Sequence, residues 1–326
     1  MTKGLLTTAV GSYPKPDYLT QARNRLARRE IGQEELRELE RKATEEWVRF
    51  QEEIGMDILV DGEMYRGDMV TYFSENMEGW AISGLVRSYG NRYYRKPVAT
   101  GPVRRKGPIT LEWWRYTQGL TKKPVKGMLT GPYTMADWSF NEHYPTREAF
   151  VLDLARAVHE EALDLEKAGA RYIQIDEPAV STRPEEMELA VKALGIVTKG
   201  LSAYTITHIC YGDFAAVFDG LLRLPVDNLD LEMTNSNYNL LGLFRERKGK
   251  LKKDLSMGVL DVHSHLIETV DQVKKGIRLG LEVFAPERLY IDPDCGLKTR
   301  EVEEAKAKLR VMATAVREVK QELGIE

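Results

Sequence analysis

Eight short apolar, β-branched runs, each followed by a loop and then by residues at helical spacing, constrain this chain more than any other feature. The runs are 5–10, 57–60, 125–129, 172–175, 204–207, 229–231, 257–260 and 289–291. Between them lie stretches such as 147–168, 185–199, 266–281 and 299–323, rich in Ala, Leu, Glu, Lys and Arg with apolar residues three and four apart. This alternation predicts an α/β protein with parallel strands joined by helices. Eight units in 326 residues fit a single (β/α)8 TIM barrel better than an open doubly wound sheet, and no Gly-x-Gly-x-x-Gly follows any run. One segment breaks the rhythm. Residues 64–124 carry "RSYGNRYYRKPVATGPVRRKGP" and "EWWRYTQ"; they are expected to form a capping excursion between strands two and three of one catalytic domain over residues 1–326.

Charge and cysteine usage narrow the function classes. Lys+Arg 47 against Asp+Glu 50 gives a formal net charge of -3, without the one-sided basic field that nucleic-acid binding requires. No run reaches about 18 apolar residues, and the N-terminus lacks the apolar core of a signal peptide, so no membrane partner and a cytoplasmic location are expected. The two cysteines make no disulfide framework; in a reducing compartment they read as buried, catalytic or metal-bound.

In a barrel, the residues just after each strand project at the C-terminal mouth, where the catalytic groups of this fold gather. Those residues are Gly11-Ser12-Tyr13-Pro14, Asp61-Gly62-Glu63, Gly131-Pro132 with Trp138, Asp176-Glu177-Pro178, His208 with Cys210, Glu232, Asp261 with His263, and 292–296 including Cys295. His208 and Cys210 alternate on an extended strand end and point the same way. With Glu232 and Cys295 they offer nitrogen, two sulfurs and a carboxylate oxygen, a four-coordinate set for Zn²⁺. Taken alone, His-x-Cys reads more readily as a buried thiol beside a hydrogen-bonded histidine than as a metal site. The metal reading is favoured because both cysteines fall at strand ends of one mouth; a purely structural zinc would more often use Cys-x-x-Cys knuckles, which are absent. Glu63 reads equally as a turn residue and Asp176-Glu177-Pro178 as a helix start. His143, His159 and His265 read as structural or surface residues, with His159 beside two glutamates on a solvated helical face.

The segments "THICYGDF", "IQIDEPA", "GMLTGPYTMADWSF", "GVLDVHS" and "DPDCGLKTR" resemble the motifs of the cobalamin-independent methionine synthase family, specifically its C-terminal catalytic barrel. The resemblance runs in order from "TTAVGSYPKP" to "DCGLKTR". It implies a zinc-dependent S-methyltransferase that moves a methyl group to the thiol of L-homocysteine. By that resemblance His208, Cys210, Glu232 and Cys295 are the zinc ligands, Val10, Gly11, Ser12, Glu63 and Asp176 hold the amino-acid moiety of homocysteine, and His263 is the proton donor. The chemistry suits these residue types: a thiol with a pKa near 8.5 is mostly protonated at neutral pH, and Zn²⁺ converts it to a thiolate nucleophile. Ionised Glu63 and Asp176 suit an ammonium, and Ser12 with neighbouring N–H groups suits a carboxylate.

Other positions depart from the family pattern. Thr182 stands where familiar members have a glutamate that contacts the pterin of methyltetrahydrofolate, Arg92-Tyr93 replaces Arg-Cys, and the run after Glu232 reads "TNSN". The full-length members carry an additional N-terminal barrel, and this chain is expected to consist of the catalytic barrel alone. Trp138, with Arg92, is expected on the methyl-donor side, where a flat ring can stack. These departures place a methylated corrinoid, free methylcobalamin or a corrinoid protein, slightly ahead of methyltetrahydrofolate as donor. The other readings are zinc-dependent alkyl transfer to another small thiol, decarboxylation of a tetrapyrrole, which the metal set disfavours, and a zinc-binding module without catalysis.

Overall fold

The computed structural model describes residues 4–87 and 93–325. In chain order the helices are α1 (Asp17–Ala27), α2 (Gln33–Glu53), α3 (Met69–Glu75), α4 (Leu111–Gly119), α5 (Pro132–Asp137), α6 (Arg147–Ala168), α7 (Met187–Val197), α8 (Phe214–Leu221), α9 (Leu240–Glu246), α10 (Val270–Leu281) and α11 (Val302–Leu323). The strands are β1 (Met77–Arg87), β2 (Tyr93–Arg105), β3 (Gly127–Thr130), β4 (Phe140–Asn141), β5 (Tyr172–Asp176), β6 (Tyr204–Ile209), β7 (Asn228–Leu231), β8 (Asp254–Gly258) and β9 (Leu289–Asp292). Six of them form one sheet in the order β3-β5-β6-β7-β8-β9. The registered pairs β3–β5, β5–β6 and β8–β9 are parallel. Every residue of β3, β7 and β9 is buried, including the polar Thr130, Asn228, Asp230 and Asp292, as in a parallel sheet covered on both faces.

The chain divides into two compact units, one of Met1–Tyr65, Tyr116–Lys126 and Asp230–Glu326, the other of Arg66–Arg115 and Gly127–Leu229. In the first, the expected strands at 5–10 and 57–60 appear only as isolated parallel bridges, Thr7 with Ile291 and Leu59 with Val125. Side chains occupy the backbone groups that a longer ladder would use. Asp57 Oδ2 accepts from the N–H and hydroxyl of Thr7 at 2.8 and 2.9 Å. Gln51, fully buried on α2, donates to the carbonyl of Val60 and accepts from its N–H, both at 2.9 Å. α11 starts at a Glu301/Glu304 capping box and stops at Gly324 in the left-handed region, φ 66°.

In the second unit, α6 begins at Thr146, whose side chain accepts from the N–H of Ala149, and ends at Gly169, φ 108°. The excursion contains α3, the antiparallel β1–β2 hairpin and α4. Glu161 of α6 is completely buried. Its carboxylate accepts from the N–H groups of Ile109, Thr110 and Leu111 at 2.9, 2.7 and 3.1 Å and from Arg105 at 3.0 Å, capping α4 from another helix. The expectation of a solvated face around His159 is corrected in part: Glu160 is exposed and His159 half-buried, with Nδ1 2.9 Å from the carbonyl oxygen of Val197, but Glu161 is buried. A spacing pattern cannot register the unsatisfied N–H groups of a distant helix start that draw a carboxylate inward.

Candidate metal centre and substrate site

β6 ends at Ile209, and the chain turns sharply just after Cys210. Tyr211 has φ 56° and Gly212 φ 129°, and a Cβ on Gly212 would lie 2.7 Å from Ser181 Cβ, so only glycine fits there. Ser181 Oγ donates to the carbonyl of Tyr211 and, at 3.4 Å, to that of Cys210. His208 and Cys210 are thus buried on a fixed strand end, 3% and 4% exposed.

Cys295 follows β9 and is held from both sides. Before it, fully buried Asp294 accepts from the N–H groups of Met233 and Thr234 at 2.9 and 3.1 Å and from the Thr234 hydroxyl. Burial pushes the Asp294 carboxyl upward, and these donors oppose the shift. After Cys295, a Cβ on Gly296 would meet Ser12 Oγ at 2.1 Å, and Leu297 N–H donates to Ser12 O at 2.8 Å. Among the described residues, ligand atoms of His208, Cys210 and Cys295 lie within 4.8 Å of one another. Tetrahedral Zn–S bonds of about 2.3 Å place ligand atoms about 3.8 Å apart, so this donor set fits a soft-to-borderline divalent metal. Glu232, half-buried just after β7, lies outside that group of three.

The expected homocysteine residues occupy two neighbourhoods. Val10 and Gly11 are buried and Ser12 bridges Gly62, whose carbonyl accepts from Tyr13 N–H at 3.0 Å. Glu63, only 9% exposed, adopts φ 58°, its N–H donating to Asp61 Oδ1 at 2.9 Å. A non-glycine residue in this region is strained, a cost of about 1–3 kcal/mol that concentrates at functional sites. Lys15 donates to Glu63 O at 3.3 Å, and burial lowers its ammonium to about 8. At the end of β5, Asp176 is paired in register with His208 and accepts from Gln174 Nε2 at 2.8 Å.

Glu177 is a residue that the strand-end pattern placed but did not assign. It is fully buried and accepts from the N–H of Tyr133 at 3.0 Å and from the N–H and hydroxyl of Thr134, both at 2.7 Å. Burial raises its carboxyl to about 7, against those hydrogen bonds. Its own N–H donates to His208 O at 2.9 Å, and Gly131 N–H donates to Asp176 O at 2.8 Å. The Asp176-Glu177 pair therefore ties β6 to the start of α5. The available signal was Gly131-Pro132, a helix start without a capping side chain of its own.

Trp138 is half-buried at the C-terminal end of α5. Next to it Asp137 accepts from Arg147 at 2.7 Å and Arg183 at 2.9 Å. Exposed Thr182 donates to Ala179 O at 2.8 Å. Arg92 lies outside the described residues. His263 is exposed on the loop between β8 and α10, its N–H donating to Asp261 Oδ1 at 2.8 Å.

The family model described as "Cobalamin-independent synthase, Catalytic domain" matches residues 5–318. The chain belongs to the cobalamin-independent methionine synthase family. That membership makes it a methyltransferase of the methionine-forming class. A protein of Pyrococcus abyssi named methionine synthase is 39% identical over 325 residues, covering 99% of this chain and 95% of that protein. A 5-methyltetrahydropteroyltriglutamate–homocysteine methyltransferase of Thermotoga petrophila is 39% identical over 328 residues, 97% of this chain but 44% of its own length. The solved B12-independent methionine synthase of Shewanella sp. W3-18-1, in complex with selenomethionine, superposes with a TM-score of 0.88 at 28% identity, covering 98% of this chain and 99% of that one. This likeness places the chain among α/β folds with a parallel sheet. Among the described residues no helix is long and apolar enough to cross a membrane.

Proposed function

We propose that this chain transfers the N5 methyl group of a methyltetrahydropteroyl-glutamate to the sulfur of L-homocysteine, giving methionine. The observation that carries the reading is the clustering of His208, Cys210 and Cys295 in a chain of this family. We read the fold as a (β/α)8 barrel. Beyond the six-stranded sheet, Thr7 bridges Ile291, its carbonyl accepts from Ile58 N–H at 3.0 Å, and Leu59 bridges Val125 ahead of β3. Residues 64–124 are read as its cap within one catalytic domain.

The corrinoid donor expected from the sequence is corrected. The matching family is described as cobalamin-independent, and the Thermotoga relative is named for methyltetrahydropteroyltriglutamate. The expectation rested on departures at Thr182, Arg92-Tyr93 and the run after Glu232; at Thr182, losing one acidic contact to a pterin costs about 1–3 kcal/mol of binding. That changes affinity, not the class of donor.

In this reading His208, Cys210 and Cys295 would hold Zn²⁺, with Glu232 as the fourth residue that could reach it. A zinc ion there supplies the Lewis acidity that lets the homocysteine thiol lose its proton near neutral pH. Asp176 and Glu63 bind the substrate ammonium, while Ser12 and the Val10–Gly11 backbone bind its carboxylate. Trp138 stacks the pterin. His263 delivers a proton to N5 as the N5–methyl bond breaks and the methyl–sulfur bond forms, so that the leaving amine departs neutral.

Purified protein supplied with zinc, homocysteine and methyltetrahydropteroyltriglutamate is expected to form methionine, with parallel arms containing methylcobalamin or replacing homocysteine by cysteine. Absence of methionine in the folate arm would overturn the reading.

A further inference from the structure

The loop that carries His263 is held from α11 by a buried cation. Lys308 is fully buried, 0% exposed, in the second turn of that helix. Its ammonium donates to both carboxylate oxygens of Glu268, at 3.0 and 2.8 Å, and to the carbonyl of Leu266 at 2.5 Å. Glu268 Oε1 also accepts from Asp261 N–H at 2.8 Å, and Asp261 Oδ1 accepts from His263 N–H at 2.8 Å. A continuous chain of hydrogen bonds thus runs from Lys308 through Glu268 and Asp261 to the backbone of His263. One turn earlier on α11, Glu304 engages His265 Nδ1 at 2.8 Å; residues four apart on a helix share a face, so α11 grips this loop twice.

Burying an ammonium is expensive, and a buried ion pair is often replaceable by apolar side chains with no loss of stability. Lys308 therefore does more than fill space. Its three acceptors all lie on the loop, and hydrogen bonds fix direction in a way that apolar packing does not. The loop has no regular secondary structure and its residues 263 and 265–267 are exposed, while Val262 is buried. Glu268 is the element that converts a grip on the helix into an orientation of Asp261.

We propose that Lys308, acting through Glu268 and Asp261, is a positioning residue that holds His263 where it can protonate the leaving amine of the methyl donor. The proposal rests on the proton-donor role of His263 in the preceding reading. Its reach is the transfer step, not homocysteine capture or metal retention.

The test is a double-mutant cycle with homocysteine and methyltetrahydropteroyltriglutamate on the zinc-loaded full chain. Lys308→Met is expected to lower kcat at least tenfold while leaving the homocysteine KM and zinc stoichiometry within twofold of the parent. In a His263→Gln background the same substitution is expected to cause less than a twofold further loss. A merely structural lysine would lower kcat by the same factor in both backgrounds, and that result overturns the proposal. If Lys308→Met does not fold, Glu268→Gln, which keeps side-chain shape and loses the charge, enters the same cycle with the same expected outcome. Full activity of His263→Gln would remove the proton-donor reading and the proposal with it, whereas an active parent, an impaired His263→Gln and additive losses would remove the proposal alone.

Discussion

At the scale of single residues, the site mixes ordinary ligands with side chains whose charge the fold has to manage. A carboxylate facing an ammonium contributes a charge-assisted bond of about 1.5–3 kcal/mol. Asp176→Asn is therefore expected to weaken homocysteine binding roughly 10- to 150-fold with metal content intact; calorimetric titration checks it, and unchanged affinity would remove Asp176 from the substrate site. Lys15 gives a prediction of the opposite kind. Its folded pKa of about 8 lies below the ordinary 10.5, so between those values the unfolded chain binds more protons and stability rises with pH. Below pH 8 the penalty for charging a buried ammonium is present in full. Lys15→Met should raise stability at pH 7, by up to about 3 kcal/mol, and its advantage over the parent should shrink as pH climbs from 8 to 10.5. Urea unfolding across that range measures both; a constant difference would show that Lys15 carries no such penalty.

At the scale of elements, carboxylates from one element terminate another. Glu161 reaches out of α6 to cap α4 and to pair with Arg105, as Glu177 caps α5 from the end of β5. Without Glu161, Arg105 would keep its pairing with Asp164, but the buried N–H groups of Ile109, Thr110 and Leu111 would lose their acceptor, at about 3–5 kcal/mol in all. Glu161→Ala is expected to lose that much and to expose residues 66–115 to limited proteolysis before the rest of the chain. Cleavage unchanged from the parent would mean that the excursion is held by its apolar contacts alone. The helices themselves were legible from spacing, because periodicity reports the face a helix buries. These caps were not, because a capping glutamate distant in sequence has no local signature.

At the scale of the whole molecule, the clustered ligands come from chain positions 208–210 and 295, far apart in sequence. A metal that binds only the folded chain stabilises it by mass action, about 4 kcal/mol when free metal exceeds its dissociation constant a thousandfold. Stripping the protein with a chelator should therefore lower its unfolding midpoint together with its methionine-forming activity. Added Zn²⁺ should restore both, and Cys295→Ser should abolish the zinc-dependent increment. A midpoint indifferent to zinc, in protein shown to bind none, would dissolve the metal reading.

The amino-acid sequence by itself determined the alternation of buried strands and amphipathic helices, since each is written in residues a few positions apart. It also brought His208, Cys210 and Cys295 into one set, because each follows an apolar run and parallel strands end on one side. Two of the eight runs shrank to single bridges in the tertiary structure, where the side chains of Asp57 and Gln51 took over backbone groups of Thr7 and Val60. The tertiary structure alone decided that Glu161, Glu177 and Lys308 are buried. Their place depends on which unsatisfied N–H or C=O groups lie opposite, and in a chain read residue by residue those partners are 50, 43 and 42 positions away.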